Sequence, residues 1–146
     1  GLAFFDGPHR DFIDTANSLY TASLIGGWES AREPFDQAVR QIGRYVQDMG
    51  NEEVMMERTG YPGYGAHKRE HRIFLRELGV QVRNYRNGLR IDVRKFVLFL
   101  RDWVLSHMGI SDRTFALHLL RLRREGALTG IIMRVKRQKA GRVIIR

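Results

Sequence analysis

Residues 48–71 read DMGNEEVMMERTGYPGYGAHKREH, and this stretch decides the fold. Acidic residues come first, then a Tyr61-Pro62-Gly63 turn, then two histidines four apart. Residues four apart on a helix share one face, a turn above each other. His67 and His71 therefore aim two imidazoles at one point, and Asp48 and Glu52 repeat the spacing before the turn. A helical hairpin folded at Tyr61-Pro62-Gly63 brings the two faces together. The product is an inward cluster of nitrogen and carboxylate donors, the arrangement by which helix bundles hold metals.

The flanking stretches supply further helices. Phe35, Val39, Ile42 and Tyr45 lead a stripe into Asp48/Met49, Glu52 and Met55/Met56, which predicts a helix from about residue 34 to Gly60. That stripe turns acidic midway, and a carboxylate on a core stripe is costly unless it is paired or binds a metal. Upstream, His9, Ile13, Ala16, Tyr20 and Ser23 predict a helix over about 9–24, with Asp6 as its cap and Gly26-Gly27 as its end. Downstream, His67, His71, Phe74, Leu78 and Val82 predict a helix over about 65–85, closed by Asn87-Gly88. Val93, Phe96, Leu100, Trp103 and His107 carry another from about Ile91. Asp112 follows His107 by five residues and reaches for the same centre from the next turn; the helix then runs on to about Glu125. Four amphipathic helices joined by short loops predict an all-α, up-down-up-down four-helix bundle with a basic C-terminal extension.

At 146 residues, with 43% hydrophobic and 28% charged content, the chain is expected to form one soluble domain with a substantial core. Its longest apolar run, 96–100, is far too short to span a bilayer, and its start lacks the pattern of a signal peptide. The absence of cysteine excludes disulfides, thiolate metal sites and Cys nucleophiles, and fits a cytoplasmic protein. Any metal must then be held by His, Asp or Glu. The first residue is Gly rather than Met, which predicts either a trimmed chain or a domain cut from a longer one; in the second case a missing signalling domain is an expected partner.

The net charge of +9 is uneven. Residues 1–112 hold 15 basic and 15 acidic residues, whereas residues 113–146 hold 10 basic residues and the single acid Glu125. The expected division is a module over 1–120 and a basic tail or linker over 121–146. Within the tail, 131–137 and 142–146 read as a weak β-hairpin or a disordered arm. Such a tail suits nucleic acid or an anionic membrane surface, and equally a solvated linker.

His9, Glu52, His67, His71, His107 and Asp112 all fall on inward stripes of the predicted helices. Without a metal, each of these buried polar groups would need its own partner. His118 stands apart and reads as an ordinary hydrogen-bonded or surface histidine. Five segments, DGPHR at 6–10, NSLY at 17–20, NEEVMMERTGYP at 51–62, HKREH at 67–71 and HMGISD at 107–112, give the chain a close resemblance to the bacterial hemerythrin-like family over about residues 2–120. The resemblance implies a four-helix bundle around a non-haem di-iron centre that binds O2. It places His67, His71 and His107 on one iron and His9 on the second. Glu52 and Asp112 then bridge the two irons beside an oxo or hydroxo bridge.

One position departs from the family pattern. Four residues before the bridging Glu the family has a His that ligates the second iron, and this chain has Asp48. Asp is shorter and carries charge when ionised, so it ligates directly, ligates through water, or leaves a position open. The resemblance implies O2 storage, delivery or sensing. The extra carboxylate opens an alternative, a di-iron enzyme that activates O2 or reduces peroxide or nitric oxide. Phe74, Trp103, Val104, Met55 and Met56 are expected to line the site. Glu53 is expected to point about 100° away from Glu52.

Overall fold

A computed structural model of the chain describes residues 3–127 and residue 130, and among these every regular element is helical. The arm expected at 131–146 lies outside the described residues, as does the side chain of Asp6. Helix α1 (Ala3–Arg58) is a single run of helical hydrogen bonding broken in backbone angle at Gly26 and Gly27. Gly27 has φ 63° and ψ −142°, a region essentially closed to residues with a Cβ. The break turns α1 into two arms. Helix α2 spans Tyr64–Arg86 and helix α3 spans Val93–Trp103; a π-helical turn, Val104–Asp112, follows, and helix α4 spans Arg113–Arg124.

Two expected boundaries move. The helix begins at Ala3, upstream of Asp6, so Asp6 does not stand at its start. The second arm resumes directly after Gly27 instead of at Pro34. Its added first turns are held by packing: Ala31 is fully buried, and Trp28 lies edge-on to Phe35 and Tyr85. Helix α4 runs through residue 120 to Arg124, close to the end expected near Glu125.

The main core is aromatic. Phe35 packs on Phe96 and Tyr85, and Phe74 stacks on Phe99 and Trp103. Fully burying each such ring stabilises the fold by roughly 1.5–3 kcal/mol. The first arm of α1 buries Phe12, Ala16 and Leu19 against this core. The expected stripe is therefore corrected by one position: Ile13 (38% exposed) and Tyr20 (45%) lie at the surface, beside Leu98 and Val104 in a shallow groove. A second, smaller cluster of Met56, Phe115 and Leu119 joins the end of α1 to α4. No helix among the described residues is long and apolar enough to cross a membrane.

Candidate metal centre

The hairpin read from residues 48–71 forms as expected. Gly60, at φ 61°, ends α1, and the Tyr61 amide donates back to the Met56 carbonyl (2.9 Å). Helix α2 then turns its buried face, His67, His71, Phe74 and Leu78, toward the second arm of α1. From that arm comes Glu52, also buried. His107 and Asp112 arrive from the π-helical turn. Its hydrogen bonds run i→i+5, a rare geometry that gathers at functional sites. The wider turn aligns two residues five apart, and His107 Nε2 lies 3.1 Å from Asp112 Oδ1.

Glu52, His67, His71, His107 and Asp112 each offer a ligand atom, and these atoms all lie within 4.8 Å of one another. His67 Nε2 is 3.1 Å from His71 Nε2 and 3.1 Å from Asp112 Oδ1. Glu52 Oε2 is 3.5 Å from both His67 Nε2 and His71 Nε2. A cation about 2.1 Å from each donor sets neighbouring octahedral donors about 3 Å apart, which is the spacing found. Buried Glu52 Oε1 lacks a hydrogen-bond partner, and both Asp112 oxygens and His107 Nε2 are satisfied only where the facing imidazoles carry a proton between them. Leaving such groups unsatisfied costs roughly 1–3 kcal/mol apiece. Acceptors crowded on acceptors call for positive charge between them, so the residues fit a metal.

Without a metal, protons supply that charge. Burial pushes the His67 imidazole down, but hydrogen bonds to Asp112 and Glu52 outweigh it and raise the group to about 9. Burial pushes the Asp112 carboxyl up, but the three imidazoles of His107, His67 and His9 hold it far below the usual range.

His9, half-buried on the first arm, reaches the edge of the group: its Nε2 lies 3.0 Å from Asp112 Oδ2. Asp48 is half-buried and stands outside the five-residue group, with its charge felt at the Tyr45 phenol. The five calls around His67 thus come together, His9 adjoins them through Asp112, and Asp48 is not brought in. His118 donates to or accepts at no member of the group; its Nε2 pairs with the Thr59 carbonyl at 3.1 Å.

Around the donors the walls are apolar. Trp103 stacks on His107 with ring centres 3.9 Å apart and planes 15° from parallel, and Phe74 stacks on Trp103 in turn. The Trp103 indole donates to the Tyr45 hydroxyl (3.0 Å). Burial first, and then the Asp112 charge, hold that phenol well above the ordinary tyrosine range, so it stays neutral.

Sequence reading missed two carboxylates. Glu53 indeed points away from the five donors, but it accepts from His71 Nδ1 at 3.0 Å. Glu70 accepts from His107 Nδ1 at 2.6 Å and from the Ser111 hydroxyl at 2.7 Å. Partial burial raises both carboxyls, yet these bonds, with Lys68 at Glu53, lower them overall and keep them ionised. The only signal in the chain is adjacency: Glu53 follows Glu52, and Glu70 precedes His71.

No protein-family model matches the chain, and no solved structure matches it. Curated relatives do. A bacteriohemerythrin of Stenotrophomonas maltophilia is 27% identical over 116 residues, covering 80% of this chain and 73% of the relative. A bacteriohemerythrin of Methylococcus capsulatus is 23% identical over 114 residues, covering 78% and 85%. A myohemerythrin of Sipunculus nudus is 26% identical over 111 residues, covering 74% and 86%. The chain is thus similar to three hemerythrins over about three-quarters of its length, and its buried group of histidines and carboxylates can hold a metal such as iron.

Proposed function

We propose that this protein is a non-haem di-iron O2-binding protein, serving O2 storage, delivery or sensing. The buried five-residue donor group carries the reading. His67, His71 and His107 would hold one iron, His9 would serve the second with Asp48 beside it, and Glu52 and Asp112 would bridge. The two arms of α1, then α2, then the run from α3 through α4 would be the four members of an up-down-up-down bundle. The packing of α1 on both α2 and α3 supports that arrangement.

Reduced iron supplies the electrons on which O2 binding draws. The chain's own part is to exclude water and fix its imidazoles. Trp103 stacks on His107 and Phe74 on Trp103, an apolar wall beside the donors, while neutral Tyr45 anchors Trp103. The enzyme alternative drew its support from Asp48 as a charged ligand. The placement of Asp48 outside the donor group favours the carrier or sensor reading.

Iron analysis of protein made in iron-rich medium, with optical spectra under air, after anaerobic reduction and under vacuum, tests the proposal. Two irons per chain and an O2-dependent spectrum that reverses under vacuum are expected. A chain with no iron, or a spectrum indifferent to O2, overturns it.

A further inference from the structure

Tyr45 lies on the buried stripe of the second arm of α1, one turn before Asp48 and two before Glu52, and is only 6% exposed. Its ring packs on Phe12 and Phe74 and lies 6.1 Å from the His9 ring, centre to centre. Its oxygen accepts from the Trp103 indole at 3.0 Å, and Trp103 in turn stacks on His107. The charges that reach the hydroxyl are those of Asp112, Glu52 and Asp48. The polar end of Tyr45 thus lies beside the donor group, with His9 and Trp103 as its neighbours. A phenol has one proton to give, and an oxygen that accepts from one side turns that proton to the other. Among the described residues nothing accepts the Tyr45 proton; the indole bond is the hydroxyl's one partner there. A buried donor left idle is costly and uncommon in a native core, and beside a site for a small molecule that molecule can take the bond.

We propose that Tyr45 is a ligand-binding residue of the centre: its O–H donates to the small molecule seated there and favours ligands whose outer atom carries negative charge, azide among them. The proposal rests on the di-iron reading above. Trp103 supports the role in two ways. The indole proton occupies one side of the phenol oxygen, so the O–H cannot turn toward Trp103, and it polarises the O–H and makes it a stronger donor. A phenylalanine in the same place would fill the same space and leave the pocket indifferent to the charge of its ligand.

Azide binding to the iron-loaded, air-oxidised full chain tests this, followed by the visible band of the adduct and by the infrared stretch of the azide in H2O and in D2O. In the parent the stretch is expected to shift on exchange into D2O, because an exchangeable proton bonds to the azide. Tyr45→Phe keeps the ring and removes the hydroxyl. It is expected to hold as much iron as the parent, to abolish the isotope shift, and to weaken azide by on the order of 10–100-fold, as the loss of one hydrogen bond to a charged acceptor should. A purely structural role for the hydroxyl would move the melting temperature and leave the isotope shift in place. The shift in the parent requires no variant, so its absence overturns the proposal even if Tyr45→Phe fails to hold iron. A Tyr45→Phe protein that binds azide as tightly as the parent, or that keeps the isotope shift, also overturns it and leaves the metal-centre reading standing. A parent that takes up no iron overturns both.

Discussion

At the scale of single residues, the site is a balance between donors that repel and cations that hold them. Among the described residues Glu52 is the one buried carboxylate that α1 contributes, and Glu53 beside it is already committed to His71. Glu52→Ala is therefore expected to cost at least one metal per chain by elemental analysis, and full retention would contradict its role. The raised His67 predicts a pH dependence with a definite sign. In the metal-free protein that imidazole holds its proton up to pH of about 9, and a metal must displace it. Metal affinity should thus climb about tenfold per pH unit for one displaced proton, and level off above that pH. The same group stabilises the metal-free fold fully below its ordinary 6.5, and that contribution is lost as pH rises through about 9. Calorimetry at pH 7 in two buffers of different ionisation heat counts the protons released; none released would contradict the assignment. Asp48 offers a third case. A histidine reaches further and brings a neutral nitrogen donor, so Asp48→His should tighten the second metal at least about tenfold, or about 1.4 kcal/mol. An unchanged second step would mean that this position does not face the metals.

At the scale of elements, breaks matter as much as stripes. Gly27 carries a backbone conformation that only glycine adopts easily, and a Cβ built there meets nothing within 4 Å. Gly27→Ala should therefore cost backbone strain alone, about 1–3 kcal/mol in a denaturant melt, with metal content unchanged. A neutral result would place the bend elsewhere. The α2 stripe from His67 to Leu78 is legible from spacing because its polar opposite face leaves one register. The first arm of α1 is not, since His9, Ala16 and Ser23 belong both to the register with Ile13 and Tyr20 and to the one with Phe12 and Leu19. Only the core opposite decides, and it takes Phe12 and Leu19. The spacing of His107 and Asp112 suits no α-helical face; the π-helical turn resolves it, and local sequence carries no periodicity for such a turn. Glu53 and Glu70 stay hidden for a related reason: periodicity reports the face a residue occupies, not the histidine across from it.

At the scale of the whole molecule, the fold and the centre stabilise each other. The five donors come from α1, α2 and the π-helical turn, so a bound metal ties together segments up to 60 residues apart in sequence, from Glu52 to Asp112. In the metal-free chain that junction is a crowd of buried imidazoles and carboxylates held only by protons on the histidines, with Glu52 Oε1 left unpartnered. The unfolded chain cannot assemble the same group, so metal binds the native state selectively and raises its stability by mass action. Free metal at 100 times its dissociation constant contributes about 2.7 kcal/mol. For a chain of this length, at roughly 2–4 °C per kcal/mol, that is a rise in melting temperature on the order of 5–10 °C. The aromatic core of Phe35, Phe74 and Phe96 remains whatever the metal state, so the metal-free chain should still melt cooperatively, only lower. Chelator treatment followed by calorimetric melting, with helicity tracked by circular dichroism, measures the difference. Melting at the same temperature with and without metal would show that the centre is incidental to the fold. Loss of helicity on chelation at room temperature would show that the aromatic core cannot hold the helices by itself.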